Sequence, residues 1–124
     1  TGYGTVGFAP SQRWKMRFEM TGMEYLMQQA GGLTPVQFAI DPRQSVRDRN
    51  WFGVKWFMPA VTVSYLPSTR TRVQVQAFGL YGERNSVGNL AAPNVADVAG
   101  RNRQTDRDTY NNGGAETRFV HSFN

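Results

Sequence analysis

Residues 50–84, NWFGVKWFMPAVTVSYLPSTRTRVQVQAFGLYGER, contain two long runs of β-forming residues joined by a tight Pro-Ser-Thr-Arg turn. After the turn, Val73, Val75 and Ala77 alternate with Arg72, Gln74 and Gln76; before it, Val61, Val63 and Tyr65 alternate with Thr62 and Ser64. A period of two makes each run a strand with one apolar and one wet side. With the turn centred on position 69, Tyr65 faces Val73, Val63 faces Val75 and Val61 faces Ala77, so an antiparallel hairpin carries all six on one face. Further upstream, Phe52, Val54, Trp56 and Met58 form an apolar set in the opposite phase, with Pro59 between the two sets. Proline inside a strand belongs at an edge or a bulge, and a bulge at Pro59 would bring both sets to the same face.

The rest of the chain repeats this grammar. Residues 3–9 read as a short strand with Val6 and Phe8 on one face. Pro10, Ser11 and Gln12 form a turn. From Arg13, Trp14, Met16, Phe18 and Met20 alternate with Lys15, Arg17, Glu19 and Thr21. Met16, Met20, Met23 and Met27 also fall at helical spacing, but Gly22 interrupts that stripe and no cap precedes it. The strand reading over 13–29 is preferred, with a bulge at Gly22 to account for the later apolar phase of Met23, Tyr25 and Met27. Further strands are expected over 50–66, 71–84 and 114–123, where Phe119 and Phe123 share a face. Residues 30–49 and 85–112, rich in Gly, Pro, Asn, Asp and Arg, are read as long loops.

Composition narrows the class further. The 124 residues suit a single domain. Fourteen Lys+Arg against nine Asp+Glu give a net charge of +5, and only Lys15 and Lys55 are lysines. Arginine favours paired capture of carboxylate or phosphate, so nucleic acid and anionic small ligands are both candidate partners. There is no cysteine, which excludes disulfides and thiolate metal sites. No run of about 18 apolar residues exists, so no transmembrane helix is expected, whereas the alternating strands of a membrane barrel leave no hydropathy peak. The chain opens at Thr1 without a signal peptide, and we expect a processed protein or a portion of a longer one.

One internal repeat stands out. Pro10-Ser11-Gln12-Arg13 and Pro67-Ser68-Thr69-Arg70 lie 57 residues apart, each a tight turn leading into a strand that starts basic. The resulting order of short turn, long loop, short turn, long loop is that of an outer-membrane barrel, with tight turns on one side of the membrane and long loops on the other.

The segments AGGLTPVQFAIDPRQSVRDRNWF, VQAFGLYGERNSVGNL and GRNRQTDRDTYNNGGAETRF resemble the barrel of TonB-dependent outer-membrane receptors, in particular the ferric-citrate-transporter-like group. The resemblance covers about residues 24–119. It implies an all-β fold: an antiparallel transmembrane β-barrel segment of about five strands, with short turns at one end and long loops at the other. The implied function is uptake of an iron chelate such as ferric citrate or a siderophore, in the cell outer membrane. The implied partners are the remainder of the receptor barrel and its plug, the TonB system of the inner membrane, the ferric chelate and outer-membrane lipid, and not nucleic acid. No TonB box or plug domain is recognisable, so the resemblance implies an interior part of the barrel. Two alternatives are a soluble basic β-barrel that binds nucleic acid and a porin-like structural barrel.

Candidate binding residues are Arg43, Arg47 and Arg49 of the first loop, as cations lining a vestibule for an anionic chelate, and, if the second loop binds anything, Asn85, Gln104 and Tyr110 within it. The plainer reading of the arginines is that they pair with Asp41 and Asp48 and stiffen the loop. The second loop balances its own charges. Trp14, Phe52, Trp56 and Tyr65 are the candidate membrane-interface aromatics; an ordinary core would use the same alternation. His121 is the sole histidine, so no metal centre is expected. Neither a phosphate loop nor a nucleophile set is present, so no enzyme and no cofactor is expected. Thr1 has the form of an N-terminal nucleophile but is read as the start of a fragment.

Overall fold

A computed structural model describes residues 1–123. Five antiparallel strands form one unclosed sheet in sequential order: β1 (Gly2–Ser11), β2 (Trp14–Gln28), β3 (Trp51–Ser68), β4 (Thr71–Gly88) and β5 (Gln104–His121). The all-β, five-stranded antiparallel expectation is met. One short helix, α1 (Pro35–Ile40), lies within the segment read as loop 30–49. Packing divides the chain into a turn unit, residues 1–23, 55–82 and 110–124, and a loop unit, residues 24–54 and 83–109.

In the turn unit the alternation sorts side chains as expected. Between β1 and β2, Val6 pairs with Phe18, Gly4 with Met20 and Phe8 with Met16, while Thr5 pairs with Glu19 and Gly7 with Arg17. Opposed residues in an antiparallel pair share a face, so the first three pairs line one side and the last two the other. Tyr3 Oη donates to Glu19 Oε1 (2.8 Å), and Glu19 pairs with Arg17 (3.0 Å). The pairing with β1 runs from Phe8 and Met16 to Gly2 and Gly22 without a shift and ends there; its irregularity lies between Phe8 and Ser11.

There is no phase switch at Pro59 either. The Phe57 ring lies 6.5 Å from that of Tyr81, a Cβ on Gly79 would stand 3.6 Å from Pro59, and Val61 lines the same groove as Ala77. Phe57, Pro59 and Val61 therefore continue one apolar face, as an unbroken period of two requires. Trp56 lies over Gly82 on the opposite face, where a Cβ on that glycine would come within 2.7 Å of the indole. Proline is accommodated in the strand without an inserted residue.

The second loop is shorter than expected. β4 continues to Gly88 and β5 begins at Gln104, so only residues 89–103 connect them. Neither alternate set of β5 is apolar over residues 104–112, which hid the strand from a period-based reading. Pairing along β4 supplies it, and Phe78 covers Gly114, where a Cβ would lie 2.8 Å from the ring. Helix α1 rests on a capping box: Gln37 N–H donates to Thr34 Oγ1 (3.2 Å), Thr34 N–H donates to Gln37 Oε1 (2.8 Å), and Pro35 fills the first helical position.

The sheet lacks a conventional core. Val54 is the one buried apolar residue among those described, at 4 % exposure, while Val6, Phe18, Met20, Phe57 and Tyr81 are all exposed.

Candidate functional site

The chain presents two regions of chemical interest, and each lies within one unit. The first is the apolar face of the turn unit. Trp14 stacks on Tyr65 with ring centroids 4.3 Å apart, close to the turns, and Phe57 meets Tyr81 farther along the same face. Between the two aromatic pairs lie Pro59, Val61 and Val63 on β3, with Val75 and Ala77 on β4 and Met16 and Phe18 on β2. None carries a charge. An open groove of about 760 Å³ crosses this face, floored by Gly4, Gly79 and Gly113 and walled by Phe18, Met20 and Tyr81.

Among the candidate interface aromatics, Trp14 and Tyr65 are brought together here. Trp56 is on the opposite side, over Gly82, and Phe52 lies with Tyr25 in the loop unit, ring centroids 6.2 Å apart. The bulge expected at Pro59 had placed Trp56 and Phe52 with Tyr65. Without it, Phe57 and Tyr81 take the far aromatic positions. The sequence signal for them was present: Phe57, Pro59, Val61, Val63 and Tyr65 are five uncharged residues in strict alternation.

The opposite face of the turn unit holds a polar groove of about 560 Å³, lined by Lys15, Arg17, Thr62, Ser64 and Gln74 among others. Lys15 and Arg17 thereby lie on the opposite side of the sheet from the Trp14–Tyr65 and Phe57–Tyr81 pairs.

The second region is a hydrogen-bonded knot in the loop unit. Arg47 is 3 % exposed, and its guanidinium donates to the carbonyls of Val46 (2.9 Å), Ala91 (2.9 Å), Ala92 (2.9 Å) and Val95 (3.1 Å). Its aliphatic stem crosses Gly31, whose φ is +75°. Asp97, with a side chain 4 % exposed, accepts from Arg49 (2.8 Å), Asn89 (3.3 Å) and Arg103. Asn50 Oδ1 accepts from Asn89 N–H (2.9 Å) and Arg103 Nη1 (3.2 Å), and Gly88 leaves room for the Asn50 amide. Burial pushes the Asp97 carboxyl up, but the hydrogen bonds from Arg103, Asn89 and Arg49 outweigh it and hold the group below its ordinary value.

The knot accounts for the sequence motifs. Gly31 of AGGLT, Arg47, Arg49 and Asn50 of RQSVRDRNWF, Gly88 of RNSVG and Arg103 of GRNRQTD meet in one structure. Arg47 and Arg49 do not pair with Asp41 or Asp48; their donors are taken up by the carbonyls of 91–95 and by Asp97. Arg43 is exposed, and its backbone N–H donates to Asp41 Oδ1 (2.8 Å). Asn85 and Gln104 are exposed on β4 and β5, and Gln104 donates to Asp106 (3.2 Å). Tyr110 belongs to the turn unit. Asn50, Asn89 and Asp97 are the residues that sequence reading missed. Their roles depend on contacts 39–48 positions apart in the chain.

Among the described residues, no group of three or more His, Cys, Asp or Glu is arranged to hold a metal ion. No helix is long and apolar enough to cross a membrane, which does not bear on crossing by strands. The sequence matches no protein-family profile, no curated protein and no solved structure.

Proposed function

We propose that this chain is a membrane-spanning part of an outer-membrane β-barrel, and that the barrel belongs to a TonB-dependent receptor for an iron chelate. The observation that carries the membrane reading is the charge-free apolar face bounded by two aromatic pairs. Tyr65 and Phe57 are eight residues apart on β3, about 26 Å along the strand at about 3.3 Å per residue. Tilting the strand by about 40° reduces that to a height of about 20 Å, near the apolar band of about 25 Å on such barrels. Burying a face of this extent requires lipid or a protein cover, and aromatic rings at both margins favour lipid.

The receptor assignment is the finer step and rests on the sequence resemblance. The knot supports it indirectly, because the motifs behind the resemblance have a shared structural task. In this reading the knot fixes the loops on one side of the membrane, and the exposed Arg43, Asn85 and Gln104 are the residues left to meet an anionic chelate.

Binding of nucleic acid by a soluble sheet is the competing reading, favoured by the positive charge of the turn unit. Single-strand binders interleave cations with stacking rings on one surface. Here Lys15 and Arg17 line one face, while Trp14, Phe18 and Tyr65 lie on the other.

Density-gradient fractionation together with growth on ferric citrate tests the proposal. The protein should sediment with outer membranes, and a strain lacking it should lose chelate-dependent growth. Recovery in the soluble fraction contradicts the membrane reading, whereas outer-membrane location with unchanged growth contradicts only the receptor reading and favours a porin-like barrel.

A further inference from the structure

The net charge is not spread over the chain. The turn unit carries seven Lys+Arg (Arg13, Lys15, Arg17, Lys55, Arg70, Arg72, Arg118) against Glu19 and Glu116, a net +5. The loop unit carries seven of each sign and is neutral. Arg17 pairs with Glu19 and Arg118 with Glu116, so the acids of the turn unit are both engaged. Of the other five cations, Arg13, Lys15, Arg70 and Arg72 lie within two residues of the two turns, and Lys55 lies along β3.

Arg13 and Arg70 are structural equivalents. In each turn the arginine N–H donates to the hydroxyl of the serine two residues earlier, Ser11 for Arg13 and Ser68 for Arg70, at 3.3 Å in both. In each, the arginine carbonyl accepts from the neighbouring strand end: Leu66 N–H donates to Arg13 O (2.9 Å) and Ser122 N–H to Arg70 O (3.0 Å). The sequence repeat is thus a repeated geometry that presents an exposed guanidinium from the same turn position. The turns lead into β2 and β4, two strands apart in the sheet, or about 10 Å at about 4.8 Å per strand. The Trp14–Tyr65 stack lies directly beside Arg13 and marks the margin of the apolar face.

We infer that the turn end of the sheet is a docking rim for anionic phospholipid, with Arg13 and Arg70 taking the headgroup phosphates of the leaflet whose depth the Trp14–Tyr65 stack sets. The inference rests on the membrane reading and adds a lipid preference to it. A guanidinium presents paired donors to a phosphate, and cations near an anionic surface gain attraction that salt screens. Lys15 and Arg72 strengthen the same field. The loop unit is neutral and offers no comparable field.

The test is reconstitution of the protein into phosphatidylcholine vesicles containing trace spin-labelled phosphatidylglycerol or spin-labelled phosphatidylcholine, with the motionally restricted lipid measured by electron spin resonance. Phosphatidylglycerol should associate about threefold more strongly than phosphatidylcholine. The preference should fall toward parity in the Arg13→Gln/Arg70→Gln protein and, in the unsubstituted protein, at about 1 M salt. An Arg101→Gln control in the neutral unit should retain it. Restricted lipid with no headgroup preference overturns the inference and leaves the membrane reading standing. Restricted lipid that is absent for both labels overturns both. A preference that survives the double substitution removes the two arginines from the role, and one abolished by added single-stranded DNA at low salt overturns the inference in favour of a nucleic-acid surface.

Discussion

The side chain of Arg47 lies across Gly31 so closely that a Cβ on the glycine would stand 2.5 Å from Arg47 Cγ, at a backbone φ of +75°. Two requirements therefore fall on one residue, left-handed backbone and an open path for the arginine stem. Gly31→Ala should destabilise the loop unit by about 2 kcal/mol or more, combining backbone strain with displacement of the buried arginine. Gly4→Ala, with no atom within 4 Å of its Cβ, should be nearly silent. Hydrogen exchange across residues 89–103 measures the first effect, and equal protection in both variants would contradict it.

Arg47 itself gathers four carbonyls, a task that needs the forked guanidinium. Arg47→Lys supplies one ammonium in its place and leaves buried acceptors unmet, each costing about 1–3 kcal/mol. Limited proteolysis should cut residues 89–103 much faster in Arg47→Lys than in the unsubstituted protein, whereas Arg43→Lys should not change the rate.

Asp97 sets a pH limit on the same knot. Its carboxyl is held below the ordinary value when folded, so its ionised form contributes stability above the unfolded value of about 3.9. That contribution is lost as pH falls from about 3.9 through the lower folded value. Loop protection in hydrogen exchange should therefore decline on acidification through this window, and Asp97→Asn should be weaker at neutral pH and flatter below it. A variant with the same acid slope as the unsubstituted protein would contradict this assignment.

The antiparallel strands could be read from the sequence because alternation is a local property, written within a few residues. Val6 with Phe8, Trp14 through Met20, and Val73 through Ala77 all took the faces their spacing required. What could not be read depended on distant partners. Residues 104–112 show no apolar period, yet they form β5 against β4. The phase of the apolar set near Pro59 was misassigned because Phe52, Val54, Trp56 and Met58 are also apolar; Trp56 gains its place from Gly82, 26 positions away. The Thr34-x-x-Gln37 signature of α1 is present in the sequence, but glycines and prolines surround it and the segment was read as loop throughout. The loop arginines were read as partners of a ligand or of nearby carboxylates, whereas three of the four oxygens that Arg47 meets are backbone carbonyls of a segment more than 40 residues away.

Gly82 offers a check on that face assignment. A Cβ there would stand 2.7 Å from Trp56 Cδ1 and 3.1 Å from Lys55 O. Gly82→Ala should displace the indole and cost about 1–3 kcal/mol, with a shift in tryptophan emission. An unchanged spectrum and stability would place Trp56 elsewhere.

The membrane reading requires the face carrying Phe57, Val61 and Val63 to meet lipid without a break at Pro59. Single cysteines at positions 57, 58, 60, 61, 62 and 63, spin-labelled in vesicles, report collision with oxygen from the lipid phase and with a nickel chelate from water. Oxygen-dominated collisions are expected at 57, 61 and 63 and chelate-dominated collisions at 58, 60 and 62, in one continuous alternation. Lipid exposure at 58 with water exposure at 57, or no alternation at all, would contradict that reading.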